Sequence, residues 1–191
     1  MQDSIYKIIK ESSDNFNNIS NDKNITLEIE KIIDLIVNAF LNDNKLLLCG
    51  NGGSASDAQH IAAELSGRFL KERKPLYAEA LNVNTSFLTA VANDYGFEKT
   101  YARMIEASGK RGDILLALST SGNSPNVLLA IQKANELGMK TIGLTGSDGG
   151  EMNGICNILI KIPSSNTARI QEAHILTGHI ICQLVEEKMF D

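Results

Sequence analysis

The side chains best able to do chemistry in this chain are grouped on two segments. In DAQHIAAELSGR, His60 and Glu64 stand four residues apart, so on a helix they share one face about 6 Å apart along the axis. That pairing could hold a divalent cation or set a carboxylate base beside an imidazole, although an ordinary surface pair has the same spacing. In RIQEAHILTGHIICQ, the residues Gln171, Glu172, His174 and His179 interrupt an otherwise apolar run. All three histidines of the chain lie on these two segments.

Two loops complement them. In KLLLCGNGGSASDAQ an apolar run ends at Gly50, Asn51, Gly52 and Gly53, whose glycines allow close backbone approach; Ser54 with Asp57 three residues on has the form of a capping box. In LSTSGNSPNVLLAI, the hydroxyls of Ser119, Thr120, Ser121 and Ser124 follow a strand, and Pro125 suits the first helical turn if Ser124 is the cap. Hydroxyls, free N–H groups and the positive end of a helix together bind anions. Neither loop is a Walker A motif, since no Gly-Lys-Ser/Thr follows, and the third position required by G-x-G-x-x-G is Ala55. Each loop alone reads equally well as a capped strand-to-helix turn. Two together favour phosphate.

These residues need a scaffold that presents them at one edge. The runs at 46–50, 114–119, 140–146 and 157–163 are short and almost wholly apolar, as in strands covered on both faces, with 78–83 a weaker candidate. Helical segments at 55–70, 97–107 and 125–137 alternate with them, and a last helix spans about 168–188. Alternation of this kind predicts βαβ crossovers and a mainly parallel sheet, with the ligand at the carboxyl ends of the strands. Ahead of the first strand, helices at about 3–18 and 26–40 form an arm.

Composition narrows the function. With 191 residues, 43% of them hydrophobic, the chain suits one domain, and a net charge of −5 gives no overall basic footprint for nucleic acid. Cys49, Cys156 and Cys182 are too few and too scattered for a disulfide framework or a cysteine zinc site. No apolar run approaches the roughly 20 residues of a membrane span, and the N-terminus does not read as a secretory leader, so a cytoplasmic location is expected.

The segments CGNGGSASDAQHIAAELSGRF, NDYGFE, LSTSGNSPNVL and TARIQEAHI, followed by His179, resemble the sugar isomerase (SIS) family and, within it, the phosphoheptose isomerases. The resemblance runs over nearly the whole chain. It implies a three-layer αβα sandwich on a five-stranded parallel sheet, of flavodoxin or Rossmann type. The expected organisation is a single domain over 1–191, with N-terminal helices at 1–42 and a sugar-phosphate-binding core at 43–191. It further implies a homotetramer with active sites at subunit interfaces. The implied reaction converts sedoheptulose 7-phosphate to D-glycero-D-manno-heptose 7-phosphate, the entry to bacterial heptose synthesis for lipopolysaccharide or capsule.

Carried over position by position, the resemblance puts substrate contacts at Asn51, Gly52, Gly53, Glu64, Asn93, Asp94, Ser119, Thr120, Ser121, Ser124 and Gln171, with Ser54 close by. It also implies one zinc ion per subunit on His60, Glu64, Gln171 and His179. A metal-free account uses the same side chains: moving a proton between C1 and C2 needs a base over one face of an enediol, with Glu64 as base and His179 as partner acid. Gln171 and His179 are about 12 Å apart along one helix and roughly 80° apart in phase, so His179 is expected to reach the site from a neighbouring subunit.

Other readings stay open. A related branch of the family binds the bacterial replication initiator and is not catalytic; its members lack counterparts of Glu64 and His179. A pentulose or hexosamine phosphate is an alternative substrate, although relatives acting on those usually carry further domains. The run FLKERKP at 69–75 reads as a solvated helix end, with Arg68 one turn beyond Glu64.

Overall fold

The computed structural model describes all 191 residues. Five strands, β1 (Leu46–Gly50), β2 (Ala78–Ala80), β3 (Ile114–Leu118), β4 (Lys140–Thr145) and β5 (Ile158–Lys161), form one sheet in the order β2-β1-β3-β4-β5. Every pairing is parallel. Seven helices accompany them: α1 (Gln2–Asn21), α2 (Lys23–Leu41), α3 (Gly53–Ser66), α4 (Thr85–Tyr95), α5 (Thr100–Ser108), α6 (Pro125–Glu136) and α7 (Thr167–Phe190).

The unbroken apolar runs have a simple cause. Successive strand residues point to opposite faces, and here each face is covered. Leu46 and Leu48 of β1, with Ile114, Leu116 and Leu118 of β3, join a core closed by α2, α3 and α7. Leu47, Cys49, Leu115 and Ala117 point the other way, into a second core closed by α5 and α6. The αβα sandwich is therefore realised. Cys49, Cys156 and Cys182 are all free thiols.

Element ends differ from the sequence expectation in instructive places. Helix α3 starts at Gly53, capped by the Gly52 backbone with no side-chain cap bond, so the Ser54–Asp57 capping box does not form. Ser54 and Asp57 are inside the helix and buried instead. Ser124 does cap α6 with Pro125 behind it, but its hydroxyl makes no cap bond. Asn93 and Asp94 lie inside the last turn of α4, a helix absent from the expected set. No helix is long and apolar enough to cross a membrane.

The reading of FLKERKP as a solvated helix end is corrected. Helix α3 stops at Ser66, and the segment beyond it folds back on α7, where the side chains of Arg73 and Glu186 are only 2% and 1% exposed. Glu186 accepts hydrogen bonds from the backbone N–H groups of Phe69, Leu70 and Lys71 and from Arg73 Nε at 2.8 Å. Arg73 in turn donates to the carbonyls of Glu64, Leu65 and Gly67, helping to satisfy the end of α3, where Leu65 also accepts from the Leu76 N–H. Spacing along the chain gives no sign of this pair, because its partners are 113 residues apart.

His174, on α7, is fully buried with neither ring nitrogen hydrogen-bonded. Burial pushes its pKa down to about 4, an effect the backbone at Thr145 only partly offsets. The unfolded chain, with a histidine near 6.5, therefore binds a proton that the folded chain refuses between pH 6.5 and about 4. Stability should be unaffected by this group above pH 6.5 and fall by about 3 kcal/mol on descending through that window. Urea titrations of wild type and His174→Phe at pH 7.5 and 5.0 test this: the variant should lose markedly less stability on acidification.

Candidate active site

The site is built on the contact between α3 and α7, which run parallel. Gly53, at the start of α3, lies against the Gln171 amide, and about two turns on, Ile61 packs against Gly178 and accepts a weak bond from Cys182 Sγ. A separation of eight residues on α7 is thus matched by about seven on α3, where His60 Nε2 meets His179 Nε2 at 3.0 Å. One imidazole must present N–H and the other a lone pair. Glu64 Oε1 stands 3.4 Å from His60 Nε2 with its side chain 23% exposed. Phe69, carried by the folded-back segment, stacks on the His179 ring at 5.9 Å.

This corrects the expectation that His179 arrives from a neighbouring subunit, since it pairs with His60 within its own chain. The premise of the phase argument holds, since Gln171 and His179 of one chain do not reach one point. In the structure they meet α3 at different levels, Gln171 beside Gly53 and Asp57, and His179 beside His60.

A methyl group at Gly53 would collide with the Gln171 amide. The colliding atoms end a flexible side chain, so the fold should tolerate Gly53→Ala while Gln171 is displaced. We expect a melting temperature within about 2 °C of wild type and a turnover loss of about 10²-fold, the usual consequence of a misplacement near 1 Å. Thermal melts and kinetics on one preparation check both. A variant with unchanged kcat would show that Gln171 need not occupy that place.

The phosphate loops are joined to each other. Asn51 and Asn126 exchange a pair of side-chain amide hydrogen bonds, at 2.8 and 2.9 Å, across the gap between the β1 and β3 loops. Asn126, only 2% exposed, was not singled out from sequence. Its sole signal is position, two residues after Ser124 in the serine loop. In that loop Ser119 Oγ lies 3.0 Å from Ser124 Oγ and 3.5 Å from Ser121 Oγ. Gly122 has φ +68°, and a side chain there would strike the Gly149 carbonyl, so the loop after β4 packs directly on the serine loop.

Between these loops is a polar cavity of about 430 Å³, lined by Thr120, Ser121, Asn123, Ser147, Ser164 and Ser165, among others. The last three were missed by the motif reading; the rule that ligands sit at strand carboxyl ends would have found them. None of His60, Glu64, Gln171 and His179 lines this cavity, but Ile170, the residue before Gln171, does. Asn93 and Asp94 are exposed and bond to each other, with no hydrogen bond joining them to either loop.

Whether a zinc ion suits the α3–α7 seam is a question of donor type and spacing. Two ligand atoms on a tetrahedral zinc are about 3.4 Å apart. The His60–His179 and His60–Glu64 spacings of 3.0 and 3.4 Å are close to this, and imidazole and carboxylate are suitable donors. No three His, Cys, Asp or Glu side chains close around one point, and the Gln171 amide lies against Gly53, so the seam matches zinc in donor type and in these two spacings only. Asp57 sits beside them, and burial raises its pKa, with Gln171, His60 and His179 each pulling it part of the way back.

The family model described as SIS domain matches residues 10–146. The chain belongs to the SIS domain family. A phosphoheptose isomerase of Clostridium acetobutylicum is 47% identical over 190 residues, covering 100% of this chain and 97% of the relative. One from Rhodospirillum rubrum is 57% identical over 76% of this chain and 77% of its own. Among solved structures, the phosphoheptose isomerases of Neisseria gonorrhoeae and Francisella tularensis superpose with TM-scores of 0.92 and 0.93. Their identities are 39% and 37%, each covering 97% of this chain and 98% of the other. With relatives this similar over its length, this SIS domain is an isomerase.

Proposed function

We propose that this chain interconverts sedoheptulose 7-phosphate and D-glycero-D-manno-heptose 7-phosphate, at the entry to heptose synthesis for lipopolysaccharide or capsule, in the cytoplasm. The observation that carries the reading is the meeting of His60, Glu64 and His179 on one seam, a short distance along α7 from the serine-lined cavity. A seven-carbon sugar phosphate has its two ends far apart, which suits a phosphate held by Ser119, Ser121 and Ser124 and a C1–C2 unit at the seam.

In this reading Glu64 takes the proton from C1 while the C2 carbonyl oxygen gains one from His179, giving the enediol. Loss of the O1 proton and return of a proton to C2 then yield the aldose, with no net change in atoms or charge. His60 holds His179 at 3.0 Å, fixing the ring that handles oxygen-bound protons. Asn51, Gly52, Gly53 and Ser54 bound the sugar from the α3 end, and Asn93 and Asp94 complete the contacts. In the alternative, metal-bound account, one zinc ion per subunit would be held by His60, Glu64, Gln171 and His179, and would supply polarisation of a substrate oxygen in place of the free Glu64–His179 pair.

We further propose a homotetramer with sites at its interfaces. It is supported by the apolar residues Ile5, Tyr6, Ile8 and Ile9 of α1, which are 51–67% exposed in the single chain. The test of function is NMR of sedoheptulose 7-phosphate with purified protein, with and without a chelator. Appearance of the heptose 7-phosphate supports the assignment. No conversion under any metal condition would move it to a non-catalytic binder of the replication initiator.

A further inference from the structure

The ladder between β1 and β2 stops short of the β1 loop. Along a strand, one residue's N–H and C=O face one neighbouring strand and the next residue's face the other. Leu46 N–H donates to the Tyr77 carbonyl and Leu81 N–H to the Leu48 carbonyl, so the even-numbered residues of β1 face β2. The Lys45 carbonyl accepts from Ile114 N–H, so the odd-numbered ones face β3. Because β2 ends at Ala80, the Gly50 carbonyl lies beyond the last rung on the β2 side. Tyr101, in the first turn of α5, supplies the donor that the sheet lacks there: its hydroxyl donates to the Gly50 carbonyl at 2.5 Å.

Tyr101 is 2% exposed, and burial pushes its pKa up, so the phenol keeps the proton it donates. A phenylalanine would fill the same space in the second core; the hydroxyl is what packing does not explain. The bond also fixes more than one oxygen. The Gly50–Asn51 peptide is trans, so its N–H points opposite to its C=O. With the carbonyl held on the β2 side, the Asn51 N–H is directed to the β3 side, where Ser119 opens the serine loop. No hydrogen bond within the chain takes that N–H. The Asn51 side chain is held separately, by its paired bonds to Asn126. Since β2 and β3 flank β1 on opposite sides, the β1–β3 crevice is the switch point at which sheets of this kind bind ligands.

We propose that Tyr101 is a positioning residue: by holding the Gly50 carbonyl, its hydroxyl aims the Asn51 N–H into the β1–β3 crevice as a donor to an oxygen of the sugar phosphate. The inference rests on the sugar-phosphate reading and deepens it, since it makes Asn51 a contact through its backbone rather than its side chain.

The test removes one hydroxyl. In Tyr101→Phe the peptide plane loses its tether, and KM for sedoheptulose 7-phosphate should rise about 3–10-fold with kcat within about two-fold, the pattern of a lost binding contact. Inhibition by inorganic phosphate tells which oxygen is met. An inhibition constant raised by the same factor identifies a phosphate oxygen, and an unchanged one a sugar oxygen; either supports the aiming role. A lowered melting temperature with KM unchanged would show that Tyr101 serves stability alone and would overturn the proposal.

A second readout needs no variant. In protein labelled with ¹⁵N-asparagine, the Asn51 amide proton should move downfield when sedoheptulose 7-phosphate is added, and by less in Tyr101→Phe. An Asn51 amide that does not respond in the unmodified protein overturns the proposal, and it decides the matter if the variant does not fold. Absence of turnover in the unmodified protein would remove the isomerase reading alone, because the amide shift and the dissociation constant it yields report binding without chemistry.

Discussion

Glu64→Gln should lower turnover of sedoheptulose 7-phosphate by about 10²–10⁴-fold, the range usual for loss of a positioned general base. The substitution is nearly isosteric, and the Glu64 side chain is bonded only to His60, at 3.4 Å. Its backbone carbonyl, which Arg73 holds at 2.8 Å, is unchanged. Fold and phosphate binding should therefore survive: a melting temperature within about 2 °C of wild type, and an unaltered inhibition constant for inorganic phosphate. No hydrogen bond joins Glu64 to the serine loop, so the two effects should separate. Retained turnover would remove Glu64 as the base, and a large loss of phosphate affinity would show that the loops and the seam are not independent.

The largest effect on stability should come from Glu186→Gln. It removes the charge from a carboxylate that receives three backbone N–H groups and Arg73, and leaves the guanidinium, 2% exposed, without a counter-ion. Breaking one side of a buried pair costs about 3–5 kcal/mol. For a chain of this size that is a fall in melting temperature on the order of 10 °C. Desolvation opposes the Glu186 charge, but the Leu70, Lys71 and Phe69 amides and Arg73 outweigh it, so its pKa is lowered from 4.5. The contribution is therefore complete above pH 4.5 and lost as pH falls through the folded value. Wild type and variant should converge in stability as the pH falls below the folded value, which scanning calorimetry across pH would measure. A variant as stable as wild type at pH 7 would mean the pair is dispensable. Because Phe69 stacks on His179, kcat should also fall.

Much of the fold was legible because period-two burial on both faces of a sheet leaves an unmistakable trace, runs such as Leu46–Cys49 with no polar interruption. The loops were legible for a related reason: glycine and serine clusters directly after such runs have few other uses. What escaped were features joining distant residues. Asn126 lies 75 residues from Asn51, and Arg73 is 113 residues from Glu186, so no local pattern can announce either. Helix α4 was missed because only Val91 in it is buried, leaving no apolar stripe to read. The cap at Ser54 misled because the Gly52 backbone already turns into the helix two residues earlier.

The Asn51–Asn126 pair also bears on redesign. Each amide is satisfied by the other, so replacing the β1 loop or the serine loop alone would strand a desolvated amide at a cost of about 1–3 kcal/mol. Substrate range in this scaffold therefore cannot be altered by grafting one loop at a time. The two must be exchanged as a matched set, or the new loop must carry an asparagine of its own in register with the one left behind.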